Sequence, residues 1–416
     1  MKRLTQTLGF LAIACVLSSV PVSAGEKLSE VTIGVVLSLS GGAANQGIQT
    51  KTGAMIAAEE INSKGGIPAL GGAKLRLLFA DSQSKPDVGA SETERLINNE
   101  KVPVMLGAYQ SAVTVVATEV AERYKTPWLV TGSVAEIITQ RGFKYTFRPN
   151  NMASYDVNEM LQAIKTLTQE TGKGPKRLGM LVEGTDNGKA FAAAVRKMSK
   201  DLGYELVMDE AYSPGVADFS PQLLKIRSAK PEAFLVNMYT PEHILFNKQY
   251  YENKLYFPFG LHSAGAGAED ATFYTAVPPQ AFNLMFVQED FQKDITDFAP
   301  WTQVVDRKFR EALGYELTAF GAQGYSNVWV LYDALQRAAS LDKEKLRAAF
   351  AATNITSGPA LIMGYNKIAF DQTGQNLDSH GVISQNLKGK RTTVWPIANR
   401  PKGLQYVWPM PEWKDR

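Results

Sequence analysis

The chain has 416 residues with 44 basic and 41 acidic side chains, and its formal net charge is only +3. Such a near-neutral chain, without a run of basic residues, lacks the charge pattern of a protein that binds nucleic acid or an anionic membrane. Its length exceeds that of a usual single core, so we expect two domains.

The first 24 residues have the pattern of an export signal. Lys2 and Arg3 precede an apolar stretch, and Ala24 ends a run of small residues typical of a cleavage site. The stretch is too short to span a bilayer, and no later segment has the roughly 18 unbroken apolar residues that a span needs. We therefore predict that residues 1–24 are a cleaved signal peptide and that the mature protein is periplasmic.

Cys15 is the only cysteine of the chain and lies inside this predicted signal. Cleavage after Ala24 leaves a mature chain without a thiol, which excludes disulfides, thiolate metal sites and cysteine nucleophiles. Cleavage just before Cys15, as in a lipoprotein, is the alternative.

The first third of the chain alternates β-rich runs with helical patterns. The predicted elements are strand 31–37, helix 48–61, strand 75–80, helix 86–98, strand 102–107, helix 112–123 and strand 127–131. Near-continuous apolar strands of this kind indicate a parallel sheet covered by helices on both faces. Ligands of such sheets bind outside the carboxyl ends of the strands.

The alternation restarts after a break near Arg148. Its predicted elements are strand 176–182, helix 188–202, strand 204–208, helix 219–229, strand 233–237, helix 242–253, strand 256–261, strand 282–287, and helices 301–313, 319–339 and 342–352. We predict an α/β protein with two lobes. The first lobe is assigned residues 25–148 plus about 284–355, and the second is assigned 149–283 plus about 356–416.

Two strand-to-helix turns in the first lobe point to a binding site. One is the turn Gly107-Ala108-Tyr109-Gln110-Ser111, and the other contains Gly132-Ser133. If their strands are parallel neighbours, both helix N-termini open at one edge of the sheet and form a seat for a small anion. Ser111 and Ser133 also fit a purely structural role as helix N-caps.

Other candidates also lie at the ends of predicted strands. Tyr109 and Tyr239 suit either the wall of a cleft or packing at a lobe surface. Asp186 and Asn187 suit either a helix cap or a contact with a ligand ammonium group. His262 is a lone histidine, for which a structural role is more common than a functional one.

The sequence lacks the motifs of enzymes. It contains no G-x-S-x-G elbow, no Walker loop and no zinc motif, and its three histidines have no metal-ligand spacing. The Asp and Glu residues fall mainly on helix faces, where solvation explains them. We therefore expect no catalytic residue, metal or cofactor, although an α/β hydrolase remains a third hypothesis because fold does not set function.

Several short segments resemble those of type I periplasmic solute-binding proteins of ABC importers, in the branched-chain amino-acid (Leu/Ile/Val-binding) family. They are Ile33–Gly41, Gly53–Asn62, Lys64–Gly66, Asp81, Gly107–Ser111, Pro127–Ser133 and Phe147–Pro149. The resemblance implies two Rossmann-like lobes with parallel sheets, joined by a hinge of three crossovers, with the ligand between them. It also implies membrane permease subunits as partners, and we expect a monomer.

The resemblance also implies roles for particular residues. Ser111 matches the serine that binds the ligand carboxylate, Gly132 and Ser133 match a second anchoring turn, and Tyr239 matches an aromatic residue that faces the ligand. Three positions depart from the family pattern. His262 occurs where the family often has an acid that binds the ammonium group of the ligand, Gln46 occurs where it has a tryptophan, and Asn187 occurs where an aromatic residue is common.

These observations leave the ligand open. The first hypothesis is an importer protein that captures a small carboxylate-bearing ligand, with a branched-chain or related amino acid preferred. An aromatic or other organic acid without an ammonium group is the alternative for the ligand. A ligand sensor for a membrane receptor is the second hypothesis, because a closing clamp can signal as well as deliver.

Overall fold

A computed structural model of the protein describes residues 28–291 and 300–416. The predicted signal peptide and Cys15 lie outside these ranges. Within them, no helix is both long and apolar enough to cross a membrane.

The first lobe is built on a five-stranded parallel sheet with strand order β2-β1-β3-β4-β5. Its strands and helices are β1 Glu30–Leu37, α1 Ala44–Ser63, β2 Lys74–Asp81, α2 Pro86–Asn98, β3 Met105–Gly107, α3 Ser111–Arg123, β4 Trp128–Val130, α4 Ile137–Gln140 and β5 Thr146–Phe147. The central strands are buried on both faces, which explains their continuous apolar sequences.

The second lobe has a seven-stranded sheet with strand order β14-β13-β10-β9-β8-β6-β7. Within it, β13 is antiparallel to both of its neighbours, β10 and β14. Its elements are α5 Ala153–Thr171, β6 Arg177–Glu183, α6 Asp186–Asp201, β7 Glu205–Tyr212, α7 Ser220–Ala229, β8 Ala233–Asn237, α8 Thr240–Glu252, β9 Leu261–Ala264, α9 Ala271–Ala276, α10 Pro279–Phe282, β10 Phe286–Glu289, and later in the chain β13 Val382–Leu387 and β14 Lys390–Trp395. The predicted fold class, two α/β lobes with parallel sheets, is confirmed.

The late helices return to the first lobe. They are α11 Pro300–Leu313, α12 Ala319–Ala338 and α13 Lys343–Ala351, followed by the small hairpin of β11 Asn354–Ile355 and β12 Ile368–Ala369. Apolar side chains of all three helices share one buried cluster with β1. The return of these helices completes the helical layer on one face of the first sheet.

Two boundaries of the lobes differ from those we expected. Residues 286–289 form β10, which pairs with β9 and β13 and so belongs to the second sheet. Residues 360–368 pack with the first lobe instead, because Ile362, Tyr365 and Ile368 are buried in the cluster that contains the late helices. We propose crossings between the lobes near residues 150, 290 and 376.

The first and third crossings are joined by Arg148, a fully buried residue. Its backbone pairs with that of Gly374 and Asn376. Its guanidinium group donates to the Gln375 side chain at 2.6 Å and to the Ala135 carbonyl at 2.8 Å. Because the N–H groups of its side chain donate to groups inside the protein, Arg148 holds the first and third crossings together. It does not line the cavity between the lobes.

Candidate ligand site between the lobes

The carboxyl ends of strands from both sheets meet around one cavity between the lobes. Its wall is formed by Tyr109, Ser111, Gly132, Val134, Asp156, Asn187, Tyr239, Gly265, Glu269, Gln288, Asp290 and Phe320. Most of these residues lie within a few residues after the end of a strand, as expected for ligand sites of open parallel sheets. The cavity is small, with a volume of about 40 Å³. The lobes are thus nearly closed on each other.

Ser111 stands at the first turn of α3, at the cavity wall. The helix has no side-chain N-cap and no acidic residue in its first turn, so the positive end of its dipole is not offset within the helix. The Ser111 hydroxyl accepts a hydrogen bond from the Ala135 backbone N–H at 3.3 Å, and so it is not a cap of its own helix. This arrangement suits an anionic group of a ligand.

Gly132 shapes the opposite side of the same edge. Its φ is +77°, in the left-handed region that favours glycine, and a Cβ there would come within 2.7 Å of the Tyr109 ring. Ser133, the next residue, does not line the cavity. Its hydroxyl donates to the backbone carbonyls of Ala108 and Tyr109, so Ser133 holds the first turn in place.

Aromatic rings from both lobes meet beside the cavity. The Tyr109 and Tyr239 ring centroids are 6.0 Å apart, and Tyr109 packs edge-on against Phe320 at 5.3 Å. Burial raises the pKa of both tyrosines well above the ordinary value, so their hydroxyl groups stay protonated and can act as hydrogen-bond donors.

Three carboxyl groups line the cavity from the side of the second lobe. Asp156 comes from α5, Glu269 from the segment after β9, and Asp290 from the crossing after β10. Burial and mutual repulsion raise the pKa of Asp156 and of Glu269 well above their ordinary values. The pKa of Asp290 is also raised, again chiefly by burial. Such groups favour either a proton or a cationic partner.

This acidic wall was missed in the sequence. We expected Asp and Glu residues to be solvated on helix faces, but Asp156 and its neighbour Glu159 are buried on α5. Burial raises the pKa of Glu159 to about 8. The sequence did contain one signal of the acidic wall. Glu269 and Asp290 follow β9 and β10, and we had already predicted that ligands bind near the carboxyl ends of such strands.

Asn187 lies at the start of α6 and lines the cavity. Its side-chain N–H₂ donates to Asn237 Oδ1 at 2.8 Å and to Glu183 Oε1 at 3.2 Å. Its Oδ1 is buried and has no hydrogen-bond partner within the part of the chain that the structure describes. An unpaired buried acceptor of this kind favours a ligand that donates a hydrogen bond.

Gln46 bridges the two lobes and does not line the cavity. Its side-chain amide donates to Thr240 Oγ1 at 2.8 Å and to Asp270 Oδ2 at 2.9 Å. The neighbouring Asn45 donates to the same carboxylate at 3.0 and 3.1 Å. We call these four residues, Asn45, Gln46, Thr240 and Asp270, the interlobe clasp. Asn45 and Gln46 lie in the first turn of α1, which has no acidic residue of its own, and they contact a carboxylate of the other lobe. These contacts hold the cleft closed.

Three other candidates lie away from the cavity wall. The His262 ring is buried and stacks on Phe286, and burial lowers its pKa to about 4, so it is neutral at physiological pH. Asp186 borders a separate surface groove with Lys189 and Ala190. The Gln110 side chain accepts a hydrogen bond from Ser38 Oγ at 3.0 Å. The structure therefore brings Tyr109, Ser111, Gly132, Asn187 and Tyr239 together, whereas Gln46, Gln110, Ser133, Asp186 and His262 have other contacts.

No cluster of three or more metal-ligating side chains suited to a metal ion occurs within residues 28–291 and 300–416.

Two lobes with parallel sheets, three crossings and a cavity at the strand ends define the class of type I periplasmic binding proteins. A family model described as "Periplasmic binding protein" matches residues 30–385. The chain belongs to this family, which consists of solute-binding proteins.

Relatives refine this assignment. The chain is 28% identical over 402 residues to Leu/Ile/Val-binding protein homolog 7 of Brucella abortus, covering 93% of this chain and 96% of the relative. It is similar in structure to a leucine binding protein from Thermotoga maritima, with a TM-score of 0.75, 24% identity and coverage of 87% and 97%. It is also similar to a solute binding protein from Rhodopseudomonas palustris in complex with 3,4-dihydroxy benzoic acid, with a TM-score of 0.73, 20% identity and coverage of 87% and 95%.

Proposed function

We propose that this protein is the exported solute-binding protein of an ABC importer and that it captures a free amino acid between its lobes. The observation that carries the proposal is the polarity of the cavity. The uncompensated N-terminus of α3 at Ser111 is on one side, and the carboxyl groups of Asp156, Glu269 and Asp290 are on the other. A zwitterion with adjacent carboxylate and ammonium groups matches both sides at once.

The size of the cavity indicates how binding would proceed. The cavity has a volume of about 40 Å³ and lies between lobes that are joined by the hydrogen bonds of Gln46 to Thr240 and Asp270, so an amino acid would enter when the lobes separate. Closure is favoured by the ligand only to the extent that the ligand binds the closed form more tightly. The permease subunits would then receive the ligand from the closed complex.

An aromatic organic acid is the second candidate ligand. The rings of Tyr109, Tyr239 and Phe320 beside the cavity favour it, and the relative from Rhodopseudomonas palustris holds such a compound. However, an acid without an ammonium group would leave the three carboxyl groups of the wall without a cation. The acidic wall therefore favours an amino acid.

A matched set of ligands tests the proposal. We would unfold and refold the protein to remove bound solute, and then measure thermal shifts with the twenty amino acids, with the deaminated acids and with the decarboxylated amines. We expect stabilisation by one or a few amino acids and none by their one-sided analogues, because ligand binding to the native state raises apparent stability. Stabilisation by benzoates but not by amino acids would favour the second candidate, and no stabilisation by any of them would contradict the proposal.

A further inference from the structure

In the part of the chain that the structure describes, the cavity wall contains acidic side chains without basic side chains to pair with them. Asp156, Glu269 and Asp290 contribute three carboxyl groups, and no Lys, Arg or His is among the described residues that form the wall. The positive end of α3 faces the cavity at Ser111, but it is already suited to the carboxylate of the ligand. The ammonium group of a simple amino acid would pair with one of the three carboxyl groups and leave two.

The hydrogen bonds within the protein do not remove this imbalance. Asp290 accepts from Asn151, Gln288 and Gln323 at 3.0–3.1 Å. Asp156 accepts from the same Asn151 amide at 3.1 Å. These donors are all neutral amides, so they satisfy lone pairs without cancelling charge.

Glu269 has a different environment. The pKa of Glu269 is raised mainly by burial and by the charges of Asp290 and Glu289, while the charge of Arg391 acts in the opposite direction. Arg391 forms a salt bridge with Glu289, so much of its charge is already compensated.

A second, independent feature of the wall favours a ligand that donates hydrogen bonds. Asn187 lines the cavity and is only 8% exposed, and its buried side-chain oxygen has no partner among the described residues. Its N–H₂ group is committed to two acceptors, which fixes the orientation of the amide. The wall thus presents acceptors in excess on more than one of its sides.

We infer that the ligand is a basic amino acid, whose side-chain cation pairs with the carboxyl groups that the α-ammonium group leaves unpaired. The inference rests on the proposed function, since it assumes that an amino acid binds in this cavity. An aliphatic side chain would be buried against carboxyl groups and an unpaired amide oxygen, which is unfavourable. A terminal ammonium or guanidinium group supplies both charge and N–H donors.

The structure also offers a direction for a long side chain. Glu269 belongs to the wall of the central cavity and to the wall of a second cavity of about 240 Å³. The second cavity is bordered by Tyr274 and Glu316, together with Arg391. A side chain that pairs with Glu269 would therefore lie next to this larger space.

L-lysine and L-norleucine form the test pair, because they have side chains of nearly equal length and differ in the terminal ammonium group. Calorimetric titration of the refolded protein at pH 7 should give a Kd for lysine at least tenfold lower than that for norleucine. Equal or tighter binding of norleucine overturns the inference but leaves the proposed function standing. If no amino acid binds, both fail.

Variants of the wall provide the second test. We expect at least one of Asp156→Asn, Glu269→Gln and Asp290→Asn to weaken lysine binding tenfold or more while changing norleucine binding less than threefold. Glu242→Gln is the matched control, because Glu242 is a buried carboxyl group on α8 that accepts from the Gly215 N–H and does not line the cavity. It should leave the ratio of the two affinities unchanged. If all three wall variants also leave this ratio unchanged, the inference is overturned.

Discussion

Ser111 shows how one side chain can be found in the sequence while its role depends on neighbours. The sequence shows a turn that contains Gly107 and Ser111 after a predicted strand, and it also allows the common role of such a serine as a helix cap. In the structure the hydroxyl accepts from the Ala135 N–H and lies on the cavity wall. The capping alternative therefore does not account for Ser111, whose contact with a ligand stays a prediction.

Ser111→Ala is expected to weaken ligand binding by about 10- to 100-fold, because a hydrogen bond to a charged group contributes roughly 1.5–3 kcal/mol. Titration calorimetry with the amino acid that stabilises the wild-type protein measures the change. Ser91→Ala removes an exposed serine hydroxyl within α2 and is the control, with an expected change of less than twofold. Equal affinities of the Ser111→Ala variant and the wild type would show that the hydroxyl does not contact the ligand.

Arg148 lies near the break between the lobes that the sequence predicted, but its contacts are known only from the structure. We expect Arg148→Ala to lower the free energy of unfolding by about 3 kcal/mol or more, since it leaves several buried acceptors unpaired. Chemical denaturation measures the loss. Arg76→Ala is the control, because Arg76 forms an exposed pair with Glu30, and such pairs contribute less than about 1 kcal/mol. Similar losses in both variants would contradict a special role of Arg148 at the hinge.

At the level of elements, the first turn of α1 meets the start of α9 across the cleft. Asp270 caps α9 by accepting from the Thr272 N–H at 2.9 Å, and it also accepts from Asn45 and Gln46 of the other lobe. One carboxylate therefore stabilises a helix in its own lobe and the closed arrangement of both lobes. These contacts must break when the cleft opens.

Gln46→Glu is expected to open the ligand-free molecule, because it places a second carboxylate beside Asp270. Small-angle scattering should give a larger radius of gyration, and ligand affinity should fall about tenfold because closure becomes less favourable. Adding Asp270→Asn should restore both values toward those of the wild type. Gln405→Glu introduces the same charge at an exposed site and should change neither. An unchanged radius for Gln46→Glu would exclude a closing role for the clasp.

At the scale of the whole molecule, buried ionisable groups should make stability depend on pH. Burial raises the pKa of Glu159 to about 8 and that of Glu183 to about 7, from an ordinary value of 4.5. Burial lowers the pKa of His243 and His262 to about 4, from 6.5. The acids and the histidines act in opposite directions below about pH 7.5, because only the acids bind more protons in the folded state.

Above about pH 7.5 the histidines are neutral in both states, so the acids determine the slope. We expect the melting temperature of the ligand-free protein to fall between pH 7.5 and pH 8.5, as Glu159, and to a smaller extent Glu183, lose protons that they retain only in the folded state. Glu159→Gln mimics the protonated acid and should flatten the fall. A melting temperature that rises over this interval, measured by calorimetry, would contradict the raised pKa values.

The sequence by itself determined the α/β class, the two lobes and the edge of the first sheet where Ser111 and Gly132 lie. These features follow from local periodicity and from turn residues that are close together in the chain. The tertiary structure alone decided the acidic wall, the interlobe clasp and the buried position of His262. Asp156 lies more than a hundred residues before Glu269 and Asp290 in the chain. The three share one cavity only because α5 and the ends of β9 and β10 meet in the folded protein, and no local sequence pattern contains that information.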